Sequence, residues 1–218
     1  AHIGFIGLGH MGLPMAINLV KAGHDVVGFD LNADALMRFC QAGGNKAHSA
    51  NDAAKGNDVI ITMLQTGDQV KQVCLGDQGF YRIAPQRLHI DCSSIDVQSA
   101  QCLHEEAAAH GLLNLDAPVS GGVRGAEAAT LTLMVGGEKT VFDQAMPYLM
   151  AIGKKIIHTG EAGTGQAAKI CNNMILGISM IAISEAFVLA KNLGLSAEKL
   201  FEVVTSSSGQ CWAMSQYA

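Results

Sequence analysis

His2-Ile-Gly-Phe-Ile-Gly7-Leu-Gly9-His-Met-Gly12-Leu-Pro-Met-Ala16 is the stretch whose reading decides the fold. His2–Gly7 reads as a short apolar strand, and Met11–Ala22 carries apolar residues at helical spacing. Gly7, Gly9 and Gly12 form a GxGxxG that follows a strand and opens a helix, the context in which this pattern marks a dinucleotide-binding turn. Gly7 allows the tight turn, and Gly9 lets backbone N–H groups approach a pyrophosphate at the helix N-terminus. Gly12 lets the helix pack close to the strand. Leu8, His10 and Met11 then belong to the cofactor-binding loop, with His10 read as capping the turn or facing solvent. A ligand-free βα turn has the same letters; the strand before and the helix after favour the cofactor.

Asp25–Asp30 reads as the second strand, and Asn32 as the N-cap of a helix over Ala33–Ala42. Asp30 lies 18 residues past Gly12 (30 − 12), where a carboxylate accepts hydrogen bonds from an adenosine ribose 2′-OH. The same charge repels a 2′-phosphate, and Leu31-Asn32 supplies no compensating Arg, so NAD is favoured over NADP. Support of the following turn alone is the disfavoured reading of Asp30.

Outward from this unit, Asp58–Met63, Leu88–Asp91, Leu112–Ala117 and Thr130–Gly136 read as further buried strands. Thr66–Cys74, Val97–His110 and Lys139–Met150 read as helices between them, and Lys155–His158 as a last strand. Alternation of this kind gives βαβ units, a doubly wound α/β fold with a mostly parallel sheet. After Gly160 the pattern changes. Gln166 to about Asn192 runs without a Pro and with only Gly177 as an interior breaker, predicting a helix about 40 Å long at about 1.5 Å per residue. Ala197–Thr205 reads as one more helix, ended by Ser206-Ser-Ser-Gly209. The expected domains are therefore 1–162, binding the dinucleotide, and 163–218, the start of an all-α part too small to complete its own core.

Composition narrows the function. In 218 residues, 14 Lys and Arg stand against 19 Asp and Glu, a net charge of −5, which argues against nucleic acid as a partner. Aromatics are 5% of the chain, too few for a base-stacking platform. Six scattered cysteines without a CxxC read as buried free thiols in a reducing compartment, and the eight histidines show no HxxxH or HExxH, so no metal is expected. The chain opens directly into a strand, and the apolar stretch Ile175–Ala190 is interrupted by Glu185 and reads as too short to span a bilayer. The expected location is the cytoplasm, or the mitochondrial matrix after removal of a transit peptide.

Two further groups carry chemistry. Asp116-Ala-Pro-Val-Ser120-Gly121-Gly122 follows a strand, and a Ser with two glycines there exposes N–H donors and a hydroxyl suited to a carboxylate. Lys169 and Asn173 lie four apart on the long helix and project from one face, with Asn172 adjacent. A partly buried Lys can have a lowered pKa and act as an acid/base, with Asn orienting a polar substrate. For a lone Lys a solvated face is the ordinary reading; the Gly-rich hinge before it and the apolar run after it favour function.

Together these motifs resemble the β-hydroxyacid dehydrogenase family. The resemblance spans the Gly7–Gly12 fingerprint, Thr62-Met-Leu64, Ile90-Asp-Cys-Ser-Ser94, Asp116–Gly122 and Gly163-Thr-Gly-Gln-Ala-Ala-Lys169-Ile-Cys-Asn-Asn173. It implies that Lys169 is the catalytic acid/base, that Ser120, Gly121, Gly122 and Asn173 hold the substrate, and that Met63, Leu64 and Ser94 line the nicotinamide. Ser207-Ser-Gly-Gln-Cys-Trp212 is similar to a Ser-Ser-Gly-Arg-Cys-Trp stretch of the branch acting on 3-hydroxyisobutyrate, with Gln210 in place of Arg. The implied reaction is NAD-dependent oxidation of 3-hydroxyisobutyrate to methylmalonate semialdehyde, a step of valine degradation, by a homodimer or homotetramer. A reductase of tartronate semialdehyde or a similar short 3-hydroxyacid dehydrogenase is the alternative. A catalytically silent module is disfavoured because it has no need of Lys169. The resemblance also implies further helices, with a second Lys near the cofactor, beyond Ala218.

Overall fold

A computed structural model describes residues 1–217. In chain order its elements are β1 (His2–Ile6), α1 (Gly12–Lys21), β2 (Asp25–Phe29), α2 (Ala33–Gln41), β3 (Asn45–Lys46), α3 (Ala50–Ala54) and β4 (Val59–Thr62). Then come α4 (Gly67–Leu75), a 3₁₀ turn (Phe80–Arg82), β5 (Leu88–Asp91), α5 (Val97–Ala109), β6 (Leu113–Asp116), β7 (Val119–Ser120) and α6 (Gly122–Glu127). The chain continues through β8 (Leu131–Gly136), α7 (Lys139–Ile152), β9 (Gly153–Gly160), α8 (Thr164–Asn192), α9 (Ala197–Thr205) and α10 (Trp212–Tyr217).

The strands form one sheet in the order β3-β2-β1-β4-β5-β6-β8-β7, with β9 paired to β8. The pairings from β3 to β6 are parallel, β8 runs antiparallel to β6 and β7, and β9 is parallel to β8. The chain winds outward from β1 to β3, then resumes at β4 on the other side of β1. That reversal leaves a crevice beyond the carboxyl ends of β1 and β4, the position where doubly wound sheets take their ligands. Ile3, Phe5, Val59, Ile61, Ile90 and Leu115 are fully buried or nearly so in the main core, as expected of strands covered by helices on both faces. Asn32 caps α2 as anticipated, accepting from the N–H groups of Asp34 and Ala35.

Several elements depart from the expected pattern. β3 has two exposed residues and no apolar alternation to announce it. Asp116–Gly122 was expected as a turn after a strand; within it Val119–Ser120 pairs antiparallel with β8, and Gly122 starts α6. β9 extends beyond Lys155–His158 to Gly153–Gly160 because its parallel partner β8 supplies ladder bonds past the apolar residues. Only Cys74 and Cys92 of the six free thiols are buried; Cys171 is exposed and Cys40, Cys102 and Cys211 are intermediate. α8, at 29 residues, begins before Ile175 and ends after Ala190. The length argument against a membrane span therefore does not hold, since α8 is long and apolar enough by itself to cross a bilayer.

The chain divides into two units, Ala1–Lys169 and Ile170–Ala218, with the division inside α8. In the first unit, the start of α8 is anchored by one buried carboxylate. Asp116, at the end of β6, accepts from the Gly163 N–H through Oδ1 (2.8 Å) and from the Gln166 N–H through Oδ2 (2.9 Å). Helix-initial N–H groups lack intrahelical partners, and a carboxylate there also meets the positive end of the helix dipole. His104 Nε2 contacts the same Oδ1 at 3.0 Å. Two glycines make the approach possible. A Cβ on Gly165 would lie 2.4 Å from the Met134 carbonyl oxygen, and one on Gly136 would lie 2.6 Å from Asp116 Oδ1.

A second buried polar group lies beneath the crevice. Asn114 donates to His89 Nδ1 and to the Tyr81 hydroxyl, and Tyr81 lies 2.8 Å from the same Nδ1. With Nδ1 accepting, the neutral ring carries its proton on Nε2 and donates to Thr62 Oγ1, which donates to Asp91 Oδ1. Burial, with a smaller contribution from His104, holds the His89 pKa down at about 3. Burial also pushes Asp91 up, and its Oδ2 has no partner among the described residues.

Both features predict stability effects. His89 stays neutral in the folded chain down to about 3 but titrates near 6.5 when unfolded. Between those values the unfolded state binds more protons, so stability falls as pH falls; Asp91, shifted upward, contributes with the opposite sign. In urea unfolding, His89→Gln is expected to remove about 2 kcal/mol of the stability lost between pH 6.5 and 4.5, and an unchanged slope would contradict the assignment. Asp116→Ala leaves two buried N–H groups without an acceptor and is expected to cost about 2–4 kcal/mol, with a change below about 0.5 kcal/mol as the contrary result.

Candidate active site

The crevice is lined by the turns that leave β1, β2, β4 and β5. Gly7 has φ +99°, and a Cβ there would lie 2.3 Å from the Met63 carbonyl oxygen, so the first and fourth strands' turns touch only because Gly7 lacks a side chain. A Cβ on Gly12 would lie 1.9 Å from the Gly7 carbonyl oxygen, which makes this glycine obligatory for seating α1 on the turn. Gly9 is different, since its Cβ would meet nothing within 4 Å. The first and third glycines serve the turn's own packing, while the middle one faces open space, as close backbone approach by a dinucleotide requires. His10 is exposed and Met11 half-buried.

Asp30 joins this turn to β2. Its Oδ2 accepts from the Leu8 N–H at 2.6 Å and its Oδ1 from the Asn32 N–H at 2.7 Å. The carboxylate thus supports both turns, and each oxygen keeps a lone pair for a ribose hydroxyl. Leu31, beside it, is 94% exposed.

On the other side, Thr62 Oγ1, Ser93 Oγ and the Ser93 N–H all donate to Asp91 Oδ1. Ser93 Oγ in turn accepts from the Leu64 N–H at 2.9 Å. This arrangement ties Met63-Leu64 to Ser94, which is exposed immediately after the buried Ser93. The structure therefore places Gly7, Leu8, Gly9, His10, Met11, Gly12, Asp30, Leu31, Asn32, Met63, Leu64 and Ser94 beyond the carboxyl ends of neighbouring strands β2, β1, β4 and β5.

Lys169 stands one helical turn beyond the N-terminus that Asp116 anchors. It is half-buried, and burial draws its pKa below the ordinary lysine value. No carboxylate pairs with it among the described residues, so nothing offsets that shift. Ser120 is half-buried at the end of β7, and Gly121 (φ +136°) and Gly122 (φ +64°) follow in conformations that L side chains rarely adopt. Asn173 belongs to the second unit and is exposed.

Sequence reasoning did not single out Asp91, Ser93, Asp116 or Gln166 as individuals. Their signal is positional. Asp91 and Asp116 end buried strands, where a carboxylate needs a specific partner.

Two family models cover the chain, meeting between residues 160 and 163, ahead of the division inside α8. The sequence model for the NAD binding domain of 6-phosphogluconate dehydrogenase matches residues 2–160, and that for NAD-binding of NADP-dependent 3-hydroxyisobutyrate dehydrogenase matches residues 163–218. A probable 3-hydroxyisobutyrate dehydrogenase of Mycobacterium tuberculosis is 51% identical over 212 residues, covering 97% of this chain and 71% of the relative. An NAD-dependent L-serine dehydrogenase of Pseudomonas aeruginosa is 47% identical over 216 residues, covering 99% and 72%. A solved structure of the Mycobacterium tuberculosis 3-hydroxyisobutyrate dehydrogenase with L-serine superposes with a TM-score of 0.90 at 50% identity, over 97% of this chain and 72% of that one. With a GxGxxG crevice, a half-buried lysine at the head of a long helix and relatives at this identity, the chain belongs to the β-hydroxyacid dehydrogenase family and begins with its NAD-binding domain.

Proposed function

We propose that the protein oxidises 3-hydroxyisobutyrate to methylmalonate semialdehyde, with residues 1–162 as the cofactor domain and 163–218 as the start of a helical domain. The observation that carries this reading is Lys169, half-buried on a helix whose first turn is hydrogen-bonded into the sheet. Bound NAD+ supplies the hydride acceptor for the substrate's C3. The glycine pattern of the first turn fits its pyrophosphate, and Asp30 fits an unphosphorylated ribose.

The chain's own residues manage the substrate and the proton. Ser120 and the N–H groups of Gly121 and Gly122 hold the substrate. Met63, Leu64 and Ser94 exclude water around the reacting carbon. Neutral Lys169 takes the hydroxyl proton as the C3–H bond breaks, so the alcohol becomes the aldehyde and Lys169 becomes the ammonium. In the reverse direction the same ammonium returns the proton. Lowering of its pKa by burial favours the neutral form that oxidation requires.

L-serine is a second reading, favoured by the Pseudomonas aeruginosa relative and by the solved structure holding that amino acid. It presents the same carboxylate and C3 hydroxyl, with an amino group in place of the methyl. The exposed apolar residues of α8, among them Met174, Ile175, Ile178 and Ile181, fit burial against protein in a homodimer or homotetramer. A soluble enzyme of the cytoplasm, or of the mitochondrial matrix in a eukaryotic cell, working in valine degradation, is the setting this reading implies.

Initial rates on the full-length protein test it, with NAD+ or NADP+ and each of 3-hydroxyisobutyrate, L-serine and tartronate-type hydroxyacids. The expected result is NAD+-dependent turnover of 3-hydroxyisobutyrate. Lys169→Met should lower kcat by roughly 10²- to 10⁴-fold while NAD+ still binds. A Lys169→Met enzyme with wild-type kcat, or turnover confined to another hydroxyacid, would overturn the mechanism or the substrate respectively.

A further inference from the structure

We propose that Gln166 is a positioning residue that sets the nicotinamide-side residue Ser94 in register with the acid/base Lys169. The inference rests on the reading of those two residues given above. Gln166 is fully buried, and every polar atom of its side chain is committed to the loop that carries Ser94. Its Nε2 donates to the Ser93 carbonyl oxygen at 2.8 Å, and its Oε1 accepts from the Ile95 N–H at 3.1 Å. The two bonds bracket Ser94 from its immediate neighbours. Its own N–H donates to Asp116 Oδ2, so the same residue is fixed to the sheet on one side and to the loop on the other.

The geometry explains why an amide stands there. β5 ends at Asp91, so Ser93 and Ile95 have left the sheet's ladder. Their buried carbonyl and N–H need partners from elsewhere, and a glutamine offers one donor and one acceptor on a single planar group. An apolar residue of equal volume would fill the space but leave both groups unmet. Ser93 is held from its other side by Asp91 and bonded to the Leu64 N–H, so the loop has little freedom once Gln166 is in place. Lys169 follows three residues later on the same helix, about one turn on, and any rotation of the first turn is passed to it. Small displacements between reacting groups cost rate steeply.

The test compares full-length wild type with Gln166→Met and Gln166→Glu, using whichever 3-hydroxy acid wild type oxidises fastest. The substrate reading thus fails separately, on wild-type rates. Gln166→Met keeps the volume and removes both bonds. It is expected to lower kcat by roughly 10- to 100-fold and to raise the deuterium isotope effect on kcat for substrate labelled at C3, with native circular dichroism and NAD+ affinity within about threefold. Gln166→Glu restores the pattern only when its carboxyl is protonated, since the acid's O–H then donates to the Ser93 oxygen. Its kcat relative to wild type should therefore recover as pH falls. Wild-type kcat and isotope effect in a folded Gln166→Met, or a loss matching its unfolded fraction, would overturn the proposal. If Gln166→Met does not fold, a pH-independent deficit in Gln166→Glu overturns it, and failure of both variants to fold makes Gln166 a folding residue only.

Discussion

The Asp116 carboxylate is the interaction on which the rest of the site depends. It ends a buried strand and caps the first turn of α8 through two backbone N–H groups. A helix could be attached to a sheet by apolar packing alone, but such contact leaves rotation and axial shift free within a rotamer or two. Two short bonds from one planar carboxylate fix both. Gly136 and Gly165 are required for the approach, because any Cβ at either position would collide with backbone or with Asp116 itself. The residue that gains from this precision is Lys169, whose half-buried setting sustains a lowered pKa.

The turns beyond the carboxyl ends of the strands follow a parallel logic. Each turn leaving the sheet is held by a buried or half-buried side chain that accepts from a backbone N–H: Asp30 from Leu8, Ser93 from Leu64, and Gln166 from Ile95, with Gln166 also donating to the Ser93 carbonyl. Beneath them the Tyr81–His89–Thr62–Asp91 chain keeps polar atoms satisfied deep in the core. Each such network is rigid only if its members are paired, and Asp91 Oδ2 is the exception in this one.

Much of this was legible in the amino-acid sequence. The GxGxxG, the alternating strands and helices, the Asn32 cap and the long helix all follow from short-range chemistry, where spacing and residue type suffice. β3, β7 and α6 were not legible, because elements of two to six residues form through their neighbours and carry little pattern of their own. Gln166 and Asp116 lie 50 residues apart (166 − 116), and no local rule pairs them. Their roles emerge only once β6 and α8 meet. The length of α8 was not legible from Ile175–Ala190 alone, because helical residues on either side of that stretch carry it to 29 residues.

The central claim is that a burial-shifted Lys169 supplies the proton transfer for hydroxyacid oxidation. Its most direct test is the pH dependence of kcat/KM for 3-hydroxyisobutyrate at saturating NAD+ on the full-length enzyme. The expected rate rises with pH as Lys169 loses its proton, with an apparent pKa below the ordinary lysine value of 10.5. A rate that is flat across that range, or that rises only at the ordinary lysine value, would contradict it.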